Sequence, residues 1–595
     1  MIKLIEKING TIRISDTALV DFEKKYDIVV AGLGTAGVIS AITAARMGKS
    51  ILGVERFAAP GGTITVGGVG VYYFGGRGGV YEDVDCAQKN SAVNLVEAKY
   101  PNSDHRKYIL DKFLEGENIS LMYESVITGI YVNGREIVGI RVFDGINHNI
   151  GLKALIDATG EGDICDMAGC SMSFGRDGDN SPIPYTIVKS YITNGILTKT
   201  NHDSSKVDQR DTEAFSESII KSYAAFCDGN TDEFIIKLQP LPGMREGRLL
   251  NGEEKIVFDD ILAGKLSEEP VIYAYSDFDK HGLDIAFDSE LFVKWHVLAN
   301  LGALNVTVPI PKEVLIAKEY DNLAVSGRCL SVDHEVATLA RMMRDMQKLG
   351  EASAVIASVA IDDGVTMKDV SYPKLKEILE ETGCLNIENN KGFRYDHRIS
   401  APDYIKDAMW LTDAETINKE LSTLSPGLAI WSARLMGDKA VDFLVKNLDS
   451  ENENLRKHSA IALALLNRPD GAAVLREMVS ERDRTLLTDM RKNNKFHIVQ
   501  ALCALGIIKD KESIGVISQL VADREEYTYY PTNKGVNSFY YYTLSSAVSA
   551  LLKICKTYPD CADEILALLD EELSDYKYIK EITSTDKNSS EYIQA

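Results

Sequence analysis

Gly32-Leu33-Gly34-Thr35-Ala36-Gly37 stands between a short apolar run, Asp27-Ile28-Val29-Val30-Ala31, and an Ala-rich helical run over 38–47. That placement suits a pyrophosphate. The first glycine permits a tight turn, Gly34 lets a phosphate approach the backbone, Gly37 lets the helix close on the strand, and the helix N-terminus faces negative charge. Glu55 ends a second apolar strand, 50–54, where a carboxylate accepts hydrogen bonds from a ribose diol. These residues fit NAD and FAD equally. A second set could move protons or hold an anion: Arg245, Glu246, Arg248, His281 and His334, with Arg77 in Tyr72-Tyr73-Phe74-Gly75-Gly76-Arg77-Gly78-Gly79 as a further substrate-binding candidate. The aromatics of that last segment could wall a ligand, and its glycines permit irregular backbone beside one.

The elements that must position these residues alternate in type. Strand, glycine turn, helix and strand over 26–54 make the first unit of a doubly wound sheet. Apolar runs at 120–123, 126–132, 137–143 and 152–156, punctuated by Asn133-Gly134 and Asp144-Gly145, predict an antiparallel meander. Ile156-Asp157-Ala158-Thr159-Gly160-Glu161-Gly162-Asp163 then places a small-residue turn after a strand, able to return the chain to the cofactor.

The chain has 595 residues and a formal net charge of -23. Such an acidic surface repels phosphate backbones, which argues against general nucleic-acid binding. The nine cysteines are scattered without a CxxC, so no metal or iron–sulfur site is expected. The N-terminus lacks the apolar core of a signal peptide and no run reaches the ~18 apolar residues of a membrane span. A cytoplasmic protein is the expectation.

Further motifs carry a family resemblance. They are Pro60-Gly61-Gly62-Thr63, Met244-Arg245-Glu246-Gly247-Arg248 with Gly252, Asp321 to Ser331 containing Gly327-Arg328-Cys329, then His334, Arg341 and Leu349-Gly350-Glu351-Ala352-Ser353. Together with the Ala158-Thr159-Gly160 turn they resemble, over about 25–375, the bacterial FAD-dependent oxidoreductases often loosely labelled xanthan-lyase-like. These are relatives of the glutathione-reductase and succinate-dehydrogenase flavoproteins. The resemblance implies a two-dinucleotide-fold α/β domain with FAD held by Gly32, Gly34, Thr35, Ala36, Gly37, Glu55, Arg56, Gly61, Gly62, Thr63, Val126, Ala158, Thr159, Gly160, Asp163, Gly327, Arg328, Gly350, Ala352 and Ser353; no His stands close to the 61–70 segment, so non-covalent attachment is expected. It implies that a helix over 350–360 points its N-terminus at the flavin pyrimidine, where it would steady the reduced ring by ~0.3–2 kcal/mol. Two arginines in one short segment with only Glu246 between them leave one positive charge over, so Arg245, Arg248 and His334 are expected to converge on the substrate side of the flavin, with His281 as a further candidate. Two residues depart from the family pattern: Ala354 stands for a second glycine and Arg344 for a proline.

The expected organisation is an N-terminal extension (1–24), a first FAD-binding part (25–174), a substrate domain (175–310), a second FAD-binding part (311–375), a connecting segment (376–420), helical repeats (421–575) and a polar tail (576–595). The repeats rest on recurring segments such as Ala462-Leu463-Ala464-Leu465-Leu466 and Ala501-Leu502-Cys503-Ala504-Leu505, and they resemble HEAT-like repeats. The expected activity is hydride transfer between FAD and a small molecule, by dehydrogenation of a C–OH or C–N bond. Reduction of an activated C=C bond, or a flavin-containing scaffold whose repeats bind a protein partner, are the alternatives. Truncation near residue 420 is expected to leave FAD bound unless the repeats cover the flavin domain.

Overall fold

The computed structural model describes residues 1–17, 20–91, 99–203, 207–227, 233–279, 289–395, 406–490, 494–523, 529–532 and 535–574. His281 and the tail 576–595 lie outside the described residues. The chain forms two units, Met1–Asp279 with Val306–Gly392, and Lys280–Asn305 with Phe393–Ala595.

The first unit is organised by a nine-stranded sheet in the order Thr11–Thr17, Ile2–Ile8, Val126–Asn133, Glu136–Phe143, Asn147–Asp157, Lys24–Ala31, Ile51–Val54 and Ser120–Met122, with Leu323–Val325 also paired to Asn147–Asp157. Ile28 to Ala31 and Ile51 to Val54 are buried on both faces, as parallel strands covered by helices must be. Asn147–Asp157 does two jobs. Its first half runs antiparallel to Glu136–Phe143 and closes the meander, and its second half runs parallel to both Lys24–Ala31 and Leu323–Val325. The meander is thereby welded to the dinucleotide-binding strands through one continuous backbone. The first residues, set apart as an extension by sequence, extend this sheet instead: an Asn9-Gly10 turn, both residues at positive φ, folds Ile2–Ile8 onto Thr11–Thr17, and Leu4 pairs with Tyr131.

Two helices pack against each other beside this sheet, Gly37–Arg46 and Met343–Asp363. The expected helix start at Gly350 is not what forms. Gly350 lies inside the second helix, and a Cβ there would stand 3.0 Å from the Ala36 carbonyl carbon. Its glycine serves close helix contact, which the Ser40 hydroxyl reinforces by donating to Gly350 O (2.8 Å). The 175–310 region also divides. Thr186–Thr193, Ile196–Asp203 and Phe234–Leu238 form a small sheet, and Pro270–Ser276 pairs with Asn305–Pro311, whereas Lys280–Asn305 belongs to the second unit. The first unit also continues to Gly392, past the expected boundary at 375.

The second unit contains helices that follow one another in pairs: Glu453–Leu465 and Ala472–Ser480, His497–Ile508 and Ile514–Ala522, and Phe539–Thr557 and Ala562–Leu573. A 3-10 turn precedes each second helix, at Pro469–Gly471, Lys511–Ser513 and Pro559–Cys561. First helices pack on first helices and second on second, so each pair buries the apolar stripe of its neighbour. A buried polar chain ties the stack: His458 Nδ1 donates to Leu421 O (2.7 Å), the two Nε2 atoms of His458 and His497 share a proton at 2.9 Å, and His497 Nδ1 meets Asp483 (2.9 Å). The inserted segment is built into this unit's core. Trp295 packs edge-on against Trp431 at 4.9 Å and against Trp410 at 6.2 Å, which brings all three tryptophans of the chain together. Gln500 donates to Leu298 O (2.7 Å), and Asn300 bonds Asp489 and the Lys495 N–H (both 2.9 Å). No helix among the described residues is long and apolar enough to cross a membrane.

Candidate cofactor and substrate site

The three glycines of the Gly32–Gly37 turn have distinct surroundings. Gly32 has φ +85°, and a Cβ on it would stand 2.8 Å from Ala158 O. One on Gly37 would overlap Gly32 O and stand 2.8 Å from Ala158 Cβ. Both are therefore required by packing of this turn against the Ala158 turn. Gly34 is different: the nearest atom to an added Cβ is Ala158 O at 3.9 Å. Nothing in the chain asks for glycine at 34 on grounds of space, but an approaching phosphate does.

Glu55 fits a ribose in the same way. Its carboxylate is buried, and each oxygen accepts one backbone N–H, Oε2 from Leu33 (2.8 Å) and Oε1 from Phe57 (2.9 Å). Burial raises its pKa and those two bonds oppose the rise. A carboxylate oxygen has two lone pairs, so one on each remains for a diol. The exposed Arg56 lies beside it. Ser125 N–H donates to Glu55 O (3.0 Å), which sets Val126 directly after the Glu55 corner.

The second turn is held by a residue that sequence reading quoted without a role. Asp157 is fully buried and its carboxylate accepts from Thr159 N (3.1 Å), Thr159 Oγ1 (2.7 Å), Ile164 N (3.0 Å) and Cys165 N (2.9 Å). Burial raises its pKa against the pull of those donors. It forces the tight path Ala158-Thr159-Gly160, with Gly160 at φ +80°, and Asp163 N bonds back to Thr159 Oγ1 (2.9 Å). Thr35 Oγ1 donates to Gly61 O (3.4 Å), and Gly62 lies so close to Gly34 that a Cβ on it would stand 2.9 Å from Gly34 Cα. The Gly61–Thr63 segment thus backs the phosphate turn. Gly327, at φ +91°, approaches Ala36, and Arg328 reaches Gly160 and pairs with Glu161 at 2.8 Å. Arg328 Nε is buried with no hydrogen-bond partner among the described residues. Open space at Gly34, unused acceptor capacity at Glu55 and a buried donor at Arg328 are what an adenine dinucleotide would use, so the residues fit FAD.

Gly350, Ala352 and Ser353 do not join this cradle. All three are buried in the helix interior, and the Ser353 hydroxyl is taken by Val325 O (2.9 Å) and Leu349 O (2.8 Å). They hold the long helix to the sheet and leave no face for a ligand. The 72–79 segment is also committed to the protein. Phe74 meets Tyr275 edge-on (5.8 Å), the Gly76 N–H donates to Asp345 (3.1 Å), and Arg344 lies over the Tyr72 ring (4.5 Å), while Arg77 is exposed.

Among the proton and anion candidates the structure makes a specific pairing. His334 Nδ1 lies 2.9 Å from both carboxylate oxygens of Glu246, and both residues are buried. Glu246 also accepts from Ile183 N (2.8 Å). Arg245 donates to Pro184 O (2.6 Å). Arg341, largely buried against Asp279 (2.9 Å), has its pKa lowered by burial and by the nearby charges of Arg245 and Arg328. Three guanidinium groups therefore share one neighbourhood. Arg248 is the exception to the expected convergence: it donates to Glu161 O (2.8 Å) and Asp163 (3.0 Å) and lies 3.5 Å from Asp166. Its charge is neutralised within the chain, so the surplus cation inferred from sequence is not Arg248.

A doubly wound sheet with two turns facing one glycine mouth, a buried carboxylate at the end of the second strand and an inserted meander defines a dinucleotide-binding flavoprotein. The profile of the FAD dependent oxidoreductase family matches residues 27–192 and 185–379. The chain belongs to that family, is an enzyme, and takes FAD as its cofactor. Among solved structures it is similar to a geranylgeranyl bacteriochlorophyll reductase-like protein from Thermoplasma acidophilum (12% identity, 76% of this chain and 99% of that one, TM-score 0.34). It is also similar to a flavin-dependent brominase (12%, 77% and 99%, TM-score 0.31) and an anhydrotetracycline hydroxylase from Streptomyces rimosus (10%, 74% and 75%, TM-score 0.29).

Proposed function

We propose that the chain dehydrogenates a C–OH or C–N bond of a small organic substrate, with His334 as the proton acceptor. The buried His334–Glu246 pair supports this above all. A carboxylate can only accept, so the proton of the neutral ring sits on Nδ1 and Nε2 carries the lone pair. Glu246 fixes that tautomer and steadies the imidazolium without itself taking the proton. When bound, FAD supplies the hydride acceptor. His334 takes the proton released from the hydroxyl or amine, leaving a carbonyl or imine, and the Arg245, Arg328 and Arg341 cluster stabilises negative charge developing on the substrate oxygen. The same groups run backwards would protonate a reduced product.

The stacked pairs of the second unit support a HEAT-like reading, in which the repeats offer a surface to a protein partner. Nine free cysteines support a reducing, cytoplasmic setting. The order of the Pro60–Thr63, Met244–Arg248, Gly327–Cys329 and Leu349–Ser353 motifs supports a xanthan-lyase-like subgroup. The deciding experiment mixes the purified yellow protein anaerobically with panels of alcohols, hydroxy acids and amines and follows bleaching of the flavin band. Bleaching by one class supports dehydrogenation, and reoxidation only by an alkene acceptor after chemical reduction would replace it with C=C reduction.

A further inference from the structure

Among the described residues, Lys199 is a cation without an anion. It lies on Ile196–Asp203, opposite Ser190 of the neighbouring strand, and its side chain's only hydrogen bond among the described residues is Nζ to Gly68 O at 2.9 Å. No carboxylate of the described residues stands within ion-pair distance. Burial alone, with no neighbouring charge contributing, pulls its pKa down to about 8. A half-buried ammonium is retained against desolvation only if something repays it.

Its surroundings are shaped as a site. Gly70 leaves the ammonium uncovered, since a Cβ there would stand 3.1 Å from Nζ. Gly68 is at φ +71°, and a Cβ on it would press into the Gln239 side chain at 2.7 Å. Gln239 is buried, bonds Ser190 Oγ through Nε2 (3.2 Å), and its Oε1 has no partner among the described residues. A cation and a half-satisfied amide therefore flank one glycine-rich stretch, Gly67-Gly68-Val69-Gly70. That stretch leads directly from the Gly61–Thr63 segment backing the phosphate turn. On its other side Gly67 approaches Leu241 O, and Val69 approaches Gly243, two residues before Arg245. The 239–246 segment thus connects Gln239 at this place with Glu246 at the proton acceptor.

We infer that Lys199 binds a carboxylate of the substrate, with the Gln239 amide hydrogen-bonding a polar group beside it, so that the substrate class is small carboxylic acids bearing a hydroxyl or amino group. This rests on the dehydrogenation reading, and it would confine the reaction to 2-hydroxy or 2-amino acids and their close relatives. Binding is expected to need the ammonium form. The carboxylate should hold strongly below pH about 8 and weaken as pH rises through that value, and its binding should take up protons near pH 8 because an anion pushes the lysine pKa back up.

The test uses the full-length holoprotein and a panel of acetate, lactate, malate, succinate and glutamate. Lys199 acetylation by acetic anhydride at pH 8 is read by peptide mass spectrometry, and the visible flavin spectrum is titrated in parallel. At least one hydroxy or amino acid should slow Lys199 acetylation by roughly tenfold and perturb the flavin band. Lys199→Met should abolish that perturbation with FAD content retained, and Lys199→Arg should keep it. No protection by any member, or equal binding by Lys199→Met, overturns the assignment. Protection without flavin bleaching keeps the binding site and overturns the dehydrogenation reading. Bleaching by Lys199→Met at wild-type KM does the opposite.

Discussion

Replacing Gly34 and Gly37 by alanine separates what the glycine turn does for the fold from what it does for FAD. A Cβ at 37 overlaps Gly32 O and presses on Ala158 Cβ at 2.8 Å, and neither neighbour is a flexible side-chain tip. Overpacking of that kind costs about 1–3 kcal/mol, or roughly 2–10 °C in Tm, with or without cofactor. A Cβ at 34 meets only Ala158 O, at 3.9 Å, so Gly34→Ala should leave the flavin-free protein within about 0.5 kcal/mol of wild type. It should nonetheless push the pyrophosphate away from the backbone amides. Each charge-assisted hydrogen bond lost is worth about 1.5–3 kcal/mol, so FAD should bind roughly 10- to 150-fold more weakly. The assay is scanning fluorimetry of the deflavinated full chain, paired with FAD titration by quenching of flavin fluorescence. Wild-type FAD affinity in Gly34→Ala, or equal destabilisation of the two flavin-free variants, would refute the division of labour between these glycines.

His334→Gln and Glu246→Gln should each slow flavin reduction by the true substrate by roughly 100-fold while FAD content stays at wild type, measured by anaerobic stopped flow; Arg248→Ala, already neutralised by Asp163 and Asp166, should do far less. Asp157→Asn keeps the shape of a side chain whose carboxylate accepts four hydrogen bonds but turns an NH2 towards donors, so a loss of about 2–4 kcal/mol and weakened FAD retention should appear in denaturant titrations. Burial pushes the Asp345 carboxyl up to about 6, above its unfolded value. Its contribution is therefore full below the unfolded pKa and is lost as pH rises through about 6, so the stability difference between wild type and Asp345→Asn should move against wild type between pH about 4 and 6, and a difference constant across that window would disprove it. Truncation before residue 420 should yield aggregated protein, because it strips Trp431 and Gln500 from Trp295 and Leu298; a soluble yellow fragment would show that this segment tolerates exposure.

The dinucleotide half was legible because its signals are local. A glycine triad, a carboxylate at the end of the next strand and Asn-Gly turns each sit within a few residues of the element they shape. The Asn9-Gly10 hairpin was equally readable, flanked by alternating Ile2–Ile8 and Thr11–Thr17, but a polar surrounding disguised it as a tail. Gly350 misled because only the family resemblance set a helix start there, whereas its partner, the Ala36 carbonyl, lies more than three hundred residues away in sequence. Arg248 misled for a related reason: counting charges in Arg245-Glu246-Gly247-Arg248 could not foresee Asp163 and Asp166, which a different turn supplies. Glu246 was readable as a residue type and not as the partner of His334, since nothing in 246 or 334 alone announces the other.

The detour of Lys280–Asn305 into the helical unit also sets an order of events during synthesis. Trp295, Leu298 and Asn300 emerge from the ribosome long before Trp431, Asp489 and Gln500 exist to receive them. Pro270–Ser276 meanwhile must find Asn305–Pro311 across a loop whose own docking site is not yet made. At roughly 5–20 residues per second, a segment rich in apolar and aromatic side chains stays without its core for on the order of ten seconds or more. The nascent flavoprotein therefore passes through a stage in which its nucleotide-binding sheet can close while a loop reserved for the last third of the chain is still bare, and that stage is where a chaperone would be needed most.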